Sequence, residues 1–245
     1  MKDLASFNSD GFTVGEPWHY DVNTASRTYA SWSFRKAEKF FDVVTYTGNG
    51  TAGRTVAHNL GSVPAMMIVK STTNGTYGWR VYHQSLGNTD YLRLNETNAA
   101  AATAGMWNNT TPTDSEFTLG GASVTNGNGE SFVAYLFASD AGGYGDDEDE
   151  NIIKCGSYTG NGSATGPEID LGFEPQFLLF KQADAIRNWT IFDVMRNFGG
   201  GDISSGLNPN DNGSEVSTAN PSATPTATGF RITTANASIN ASGGT

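Results

Sequence analysis

The sequence is poor in cysteine, in basic residues and in long apolar runs, and each shortage excludes a class of protein. Cys155 is the only cysteine among 245 residues, which excludes an intrachain disulfide framework and a cysteine-rich zinc site. Lys and Arg number 14 against 25 Asp and Glu, so the formal net charge is −11. The basic clusters that bind nucleic acid or anionic membranes are therefore lacking, and we expect neither as a partner.

No stretch approaches the roughly 20 apolar residues of a membrane-spanning helix. Met1–Asp10 also lack the apolar core of a signal peptide. We therefore expect either another route of export or a fragment of a longer chain.

Internal repetition is the strongest feature that is present. Tyr46–Thr51 returns as Tyr158–Ser163, a spacing of 158 − 46 = 112 residues. Four further pairs keep the same order: Leu60–Pro64 with Leu171–Pro175, Trp79–Tyr82 with Trp189–Phe192, Leu94–Asn95 with Leu207–Asn208, and Phe117–Leu119 with Phe230–Ile232. The spacing drifts slightly, which is typical of loops that change length between fixed strands.

The repetition predicts four segments along the chain. Residues 1–37 match the C-terminal part of a preceding repeat, with its closing strand at residues 29–34. Residues 38–139 form a complete first repeat, and residues 140–150 form a Gly-rich and acidic linker. The second repeat, 151–245, lacks its last strand, because Asn240–Thr245 resemble Asn23–Thr28, which precede the strand at 29–34.

A sandwich without one strand leaves backbone donors and acceptors to be satisfied. Three segments could fill the position: residues 29–34 of the same chain, the same residues of a neighbouring chain by strand addition, or a following part of a longer natural chain, which we favour as the biological origin. The strand-complementation candidates are Tyr29, Ala30, Trp32 and Phe34.

The local pattern predicts β-strands, since short runs of β-branched and aromatic residues alternate with Asn, Gly, Thr and Pro. The predicted strands of the first repeat are Val43–Thr47, Thr55–His58, Ala65–Ser71, Trp79–His83, Tyr91–Leu94, Glu116–Leu119 and Ser131–Ala138. Asn95–Gly105 is predicted as one short helix or a loop. The predicted fold class is all-β, as tandem antiparallel β-sandwich units, jelly-roll-like, of roughly 110 residues each.

The acidic segment allows two interpretations. Closely spaced carboxylates supply the oxygen ligands that calcium prefers, and Asp146, Asp147 and Asp149 are the candidate ligands. The alternative is a solvated, self-repelling linker. We favour the linker, because five consecutive acids lack the ligand spacing and turn glycine of known calcium loops. No other cofactor is predicted.

Several aromatic residues are candidates for carbohydrate contact. Trp79 and Trp189 occupy equivalent positions in the two repeats, which favours packing in the core. Trp18 with Tyr20, and Trp107 with Asn108, lie in polar stretches without a counterpart in the other repeats, so they are the candidate glycan contacts. A loop tryptophan that caps the core is the alternative for each.

Catalytic motifs are not found. The histidines have no counterparts in the other repeat, and Gly48-Asn49-Gly50 is predicted as a hairpin turn and not as a phosphate loop. A pair of glycosidase carboxylates among the surface acids stays open as an alternative.

The chain resembles repeats in virion and tail-fibre-like proteins of tailed, probably aquatic, bacteriophages. The resemblance rests on Phe40–Gly50, on His58–Pro64 with its following strand, on Trp79–Tyr82, and on Tyr29–Arg35. It implies a location in the virion or at an extracellular surface and a structural or host-contact role, and it brings no catalytic residues. The second repeat departs from the pattern after Asn188.

The predicted function is therefore a non-enzymatic structural or adhesive repeat segment of a phage tail fibre or extracellular filament. Self-association into a homo-oligomer or head-to-tail filament, and contact with a cell-surface polysaccharide, are the expected interactions. The alternatives are an isolated carbohydrate-binding module and a depolymerase of surface polysaccharide.

Overall fold

The structure is a computed structural model, and it describes residues 4–15, 22–198, 204–218 and 222–245. Two compact bodies are present, Met1–Arg35 and Lys36–Thr245. The candidate glycan residues Trp18 and Tyr20 lie outside the described residues.

The larger body contains strands and a few single-turn helices. Its elements in the first repeat are β3 (Phe41–Thr47), β4 (Arg54–Ala57), β5 (Met66–Ser71), β6 (Arg80–His83), β7 (Asp90–Arg93), β8 (Ala101–Ala102), α1 (Ala104–Trp107), β9 (Glu116–Leu119), α2 (Ser123–Asn126) and β10 (Ser131–Phe137). Those in the second repeat are β11 (Glu168–Asp170), β12 (Phe177–Phe180), β13 (Thr190–Asp193), a 3-10 helix (Val194–Arg196), β14 (Ser204–Gly206), β15 (Val216–Thr218), β16 (Ala223–Thr226), β17 (Gly229–Ile232) and α3 (Ala237–Asn240).

The first repeat is built on a six-stranded antiparallel sheet in the order β3-β10-β5-β6-β7-β8. The last strand of the repeat, β10, lies inside this sheet and bonds to β3 on one side and β5 on the other. A second layer is formed by the pair β4 and β9. The predicted all-β antiparallel fold is confirmed.

The core of the first repeat lies between these two layers. Alternate residues of the large sheet and the inward residues of the small one are buried together: Tyr46, Val56, Met67, Val69, Tyr82, Phe117, Leu119, Phe132, Ala134 and Leu136. Burial of such apolar side chains is the main favourable term in folding. β10 supplies three of these residues and therefore completes the core as well as the sheet.

The opposite face of the large sheet is also apolar and is covered by the second repeat. The buried residues there are Phe41, Ile68, Val81, Leu92, Phe137 and Trp189. Trp189 comes from the second repeat, and its indole N–H donates to the carbonyl of Arg93 at 2.8 Å. This double burial explains why β5 is a nearly continuous apolar run and not an alternating one.

The second repeat has smaller sheets. They are β11-β17-β16, β12-β13 and β14-β15 among the described strands. Its own core contains Leu178, Phe180, Phe192, Phe230 and Ile232, with Tyr158 packed against it.

The smaller body contains one described hairpin, in which β1 (Leu4–Phe7) pairs with β2 (Phe12–Val14). Phe7 pairs with Phe12 in this hairpin. The hairpin of β16 and β17 has the same spacing, because Pro225 pairs with Phe230, also five residues later. The closing strand at residues 29–34 stays a prediction.

The seven strands predicted for the first repeat are confirmed, each within two residues at either end. The helix or loop predicted at Asn95–Gly105 is wrong in part, because that stretch contains β8 and only the start of α1. The two-residue β8 carries too little pattern to be recognised in a sequence.

Asp42 provides a pH-sensitive contact in this fold. Its buried carboxylate accepts hydrogen bonds from the backbone N–H groups of Asn59 (2.8 Å) and Val43 (2.7 Å), and it pairs with Lys36 at 2.6 Å. Burial by itself would raise the Asp42 pKa, but these donors outweigh burial and hold the pKa below its usual value.

Because the folded-state pKa is the lower one, the carboxylate contributes stability above about pH 4, and this is lost as the pH falls through the folded-state pKa. We expect Asp42→Asn to be less stable than the wild type at pH 7 and to show a flatter loss of stability toward pH 3. Urea unfolding between pH 3 and 7 measures this. The control is Asp114→Asn at an exposed position, and equal pH slopes for wild type and Asp42→Asn would contradict the assignment.

Candidate functional site

Trp107 is not a glycan platform, and this prediction is corrected. Its side chain is fully buried in the core of the first repeat, with its ring edge-on to Tyr82. The indole N–H donates to the carbonyl of Asp90 at 3.0 Å. Asn108 ends α1 in a left-handed conformation (φ 54°) and is half-buried. The loop alternative, in which tryptophan packs on the core, is the arrangement in the structure.

The acidic segment does not form a metal site. Among the described residues, no group of three or more His, Cys, Asp or Glu side chains is placed to hold a metal ion, so Asp146, Asp147 and Asp149 do not converge. The segment is closed by backbone hydrogen bonds, from Gly143 to Glu148 and from Glu150 to Tyr144. Its carboxylates point outward because repulsion between like charges disfavours bringing them together without a cation.

A buried polar network is present twice at equivalent positions. In the first repeat the Asn126 side chain accepts from the N–H of Asn49 and donates to the carbonyls of Thr51 and Gly120. In the second, the Asn240 side chain accepts from the N–H of Asn161 and donates to the carbonyls of Ser163 and Thr234. The hydroxyls of Tyr46 and Tyr158 donate to the carbonyls just before these asparagines.

All members of this network satisfy backbone groups of a loop. The predicted hairpin turn at Gly48-Asn49-Gly50 is therefore wrong, because β3 and β4 belong to different sheets and the loop crosses between them. The Asn side chain replaces the hydrogen bonds that a hairpin would have supplied. The sequence shows the tyrosine and the Gly-Asn-Gly motif in both repeats. It does not mark the asparagine that completes the network, which lies 77 residues after Asn49 in the first repeat and 79 residues after Asn161 in the second.

Structural equivalence also revises one sequence correspondence and adds another. The backbone N–H of Trp79 donates to the side chain of Asn95, and that of Trp189 donates to the side chain of Asn210, two residues beyond the Asn208 suggested by the sequence. At the C-terminal end, Gly160 donates to the carbonyl of Gly244 as Gly48 does to that of Glu130.

The sheets of the two repeats differ in their described strand pairs. In the first repeat, the equivalent segments β3 and β5 both bond to β10. In the second, β12 pairs with β13 alone among the described strands, and residues 151–161 contain no strand.

Thr245 is equivalent in its backbone contact to Ser131. Its carbonyl accepts from the N–H of Ala183 at 2.6 Å, and the carbonyl of Ser131, the first residue of β10, accepts from the N–H of Thr72 at 2.8 Å in the same way.

Some core residues of the second repeat are less well covered than their counterparts in the first repeat. Met67 and Val69 are fully buried in the first repeat, whereas Leu178 and Phe180 keep 8% exposure each. Tyr46 is buried and Tyr158 only half-buried. In the first repeat the extra cover comes from β10, whose Phe132 stacks on Tyr46 at 5.2 Å.

Cys155 and Lys181, both in the second repeat, have shifted pKa values. Burial, together with the charge of Asp140, raises the pKa of the Cys155 thiol to about 12. Burial lowers the pKa of Lys181 to about 8, and its ammonium donates to the carbonyls of Gln182 and Ala185. The thiol is therefore largely protonated at neutral pH and a weak nucleophile.

His58 and His83 form hydrogen bonds with backbone groups. Burial lowers the pKa of both His58 and His83. The ring of His58 lies 3.3 Å from the carbonyl of Thr113 and accepts from the N–H of Leu60. That of His83 accepts from the N–H of Ser85. These contacts orient loops.

The fold and these contacts define an all-β protein of antiparallel sheets, in which a loop network recurs. A family model described as "Domain of unknown function (DUF7483)" matches residues 1–245, and the chain belongs to this family. No curated protein and no solved structure matches the chain. Within the described residues, none of the helices has the length and apolar character needed to cross a membrane.

Proposed function

We propose that the protein is a non-enzymatic structural and adhesive repeat segment of a phage tail fibre or similar extracellular filament, located in the virion or at an extracellular surface. The observation that carries the proposal is the recurring Tyr and Asn network. Its members, Tyr46 with Asn126 and Tyr158 with Asn240, bind backbone groups of their own loops. The side chains that the two repeats share therefore stabilise the fold, as expected for repeats that act as spacers.

The packing of the repeats supports the same proposal. The indole of Trp189 is buried against the first repeat, and the side chain of Gln84 donates to the carbonyl of Cys155 at 2.6 Å. Repeats that pack against each other are held in one orientation, whereas repeats joined by a flexible linker alone move relative to each other. Self-association by strand addition and contact with cell-surface polysaccharide are the interactions proposed for the segment.

Immunolabelling tests the location. Antibodies raised against the purified chain should decorate fibres of virions from the phage that encodes it, as seen by negative-stain electron microscopy. Labelling that is confined to lysed host cells and absent from virions would overturn the proposal.

Glycan binding tests the adhesive part. On a glycan array, Trp18→Ala should reduce binding. The control is Trp79→Ala, which removes a tryptophan that stacks on Tyr135 and should leave glycan binding unchanged. Release of reducing ends from a polysaccharide by the purified chain would instead establish the depolymerase alternative.

A further inference from the structure

We propose that the first repeat binds the carboxylate of an acidic sugar in a notch formed by Gly78, Arg80 and Asn95, which we call the Gly78 notch. The inference deepens the polysaccharide contact of the proposed function and rests on it. The two repeats differ in side chains at these positions although their backbone contacts are equivalent, and the second repeat shows which chemical group the notch accepts.

The asparagine of the notch has the same backbone contact in both repeats. The side-chain oxygen of Asn95 accepts from the N–H of Trp79, and that of Asn210 accepts from the N–H of Trp189, each at 2.8 Å. Because the oxygen of each side chain is bound in this way, its amide nitrogen remains as a donor for another group.

The residue before the tryptophan decides what this amide nitrogen binds. In the second repeat the residue is Asn188, whose side-chain oxygen accepts from the amide nitrogen of Asn210 at 2.9 Å. In the first repeat it is Gly78, which has no side chain, and among the described residues the amide nitrogen of Asn95 has no acceptor. An oxygen acceptor therefore fits this position, and in the first repeat it must come from outside the chain.

Arg80 adds a positive charge to the notch. A Cβ on Gly78 would lie 2.9 Å from Nη1 of Arg80 and 3.0 Å from the amide nitrogen of Asn95, so both donors border the same small space. Nη1 has one long contact of 3.5 Å, to the carbonyl of Trp79. Nε of Arg80 is buried without a hydrogen-bond partner in the described part of the chain. A carboxylate oxygen between the two donors would receive a charge-assisted hydrogen bond from Arg80.

The positive charge is found in the first repeat and not at the equivalent positions of the second. Arg80 pairs across the sheet with Arg93, and both guanidinium groups lie over the ring of Tyr91, 5.7 and 5.1 Å from its centroid. Thr190 and Asn208 occupy these two positions in the second repeat. Like charges that face each other across a sheet are destabilising, so a bound anion would offset a cost that only the first repeat has.

Glu96 compensates this charge in part. It pairs with Nε of Arg93 at 3.6 Å, and Nη2 of Arg93 donates to the hydroxyl of Tyr91 at 2.8 Å. Burial and the charge of Arg93 lower the pKa of Arg80, while Tyr91 and Glu96 oppose this shift. Two guanidinium groups and one carboxylate leave one positive charge in excess, which a single external carboxylate would neutralise.

The surroundings of the notch favour an acidic sugar over an acidic protein segment. The residues that flank it in the chain are neutral and form hydrogen bonds: Asn74, Thr76, Tyr77, Thr97 and Asn98. A sugar offers one carboxylate among several hydroxyl groups, which matches such a surface. A protein segment rich in Asp and Glu brings many carboxylates, which the net charge of −11 repels.

Titration of the full chain with sodium galacturonate, followed by heteronuclear NMR, tests the inference. The side-chain amide resonance of Asn95 should shift and saturate. The side-chain amide of Asn210 is the internal control, because Asn188 already accepts from it, and its resonance should stay unchanged. Galactose carries no carboxylate and should shift neither resonance. The absence of a saturable shift at Asn95 would overturn the inference.

Arg80→Gln should weaken galacturonate binding by about tenfold or more, as expected for the loss of a hydrogen bond to a charged group. Arg231→Gln is the matched control, because it removes the same charge from an exposed pair with Glu168. Equal weakening by both variants would mean that net charge and not the notch attracts the ligand, and the assignment would be wrong.

Gly78→Asn introduces the side chain of the second repeat and should abolish binding. The atoms nearest to the new Cβ are the ends of the Arg80 and Asn95 side chains, which can turn away. If this variant does not fold, Asn95→Asp gives the same test, since it keeps the acceptor for Trp79 and lacks the amide nitrogen. Undiminished binding by a folded variant would place the carboxylate elsewhere.

Sodium acetate at matched ionic strength separates a sugar site from a general carboxylate site. Galacturonate should bind more tightly, because its hydroxyl groups add contacts with the neutral residues around the notch. Equal affinity for acetate and galacturonate would overturn the sugar as the ligand. None of these results changes the virion labelling, so the inference and the proposed function fail separately.

Discussion

Replacing Trp107 by alanine should lower the free energy of unfolding by about 3–5 kcal/mol, the cost of truncating a fully buried tryptophan. The indole is in the centre of the first repeat, where it packs edge-on against Tyr82. The substitution leaves a cavity and removes the hydrogen bond from the indole N–H to the carbonyl of Asp90.

Urea unfolding followed by circular dichroism measures the effect. Trp107→Phe is the matched control, because it retains most of the apolar contact and loses the hydrogen bond, so a smaller loss is expected. A Trp107→Ala chain as stable as the wild type would place the indole outside the core and would restore it as a glycan contact.

Replacing Gly48 by alanine should destabilise the first repeat by about 1–3 kcal/mol or more, because the added methyl group collides with backbone. A Cβ at this position would lie 2.2 Å from the carbonyl oxygen of Gly127 and 2.7 Å from the carbonyl carbon of Asn126. Neither atom can turn away as a flexible side chain can, so the loop must move and weaken the contact from Gly50 to Asn126.

Gly75→Ala is the control for Gly48→Ala, since a Cβ there meets no atom within 4 Å. Its effect should stay within about 0.5 kcal/mol. Gly160→Ala tests the equivalent position, where the Cβ would lie 2.2 Å from the carbonyl oxygen of Ala241. Thermal unfolding of the three variants compares them, and equal melting temperatures for Gly48→Ala and Gly75→Ala would contradict the close approach.

Strands were predictable from the sequence because their signals are local. Runs such as Met66–Ser71 and Ser131–Phe137 combine β-branched and aromatic residues with flanking turns, and they are strands in the structure. The tryptophan at position 107 could not be placed in this way. The residues that follow it, Asn108 and Asn109, are polar. Its burial depends on Tyr82 and Asp90, which lie well before it in the chain.

The prediction of a hairpin turn at Gly48-Asn49-Gly50 was wrong for a related reason. A Gly-Asn-Gly sequence meets the local requirements of a tight turn, but whether the flanking strands pair is decided elsewhere. Here β3 takes β10 as its partner and β4 takes β9, so the loop must cross between layers. Asn126, 77 residues later, supplies the hydrogen bonds.

The sequence by itself determined that the chain is β-rich and that its motifs recur about every 110 residues, because strand pattern and repetition are written in neighbouring residues. Tertiary structure alone decided that β10 lies inside its sheet and that β3 and β4 belong to different sheets. Strand order is set by contacts between distant residues, which no local pattern contains.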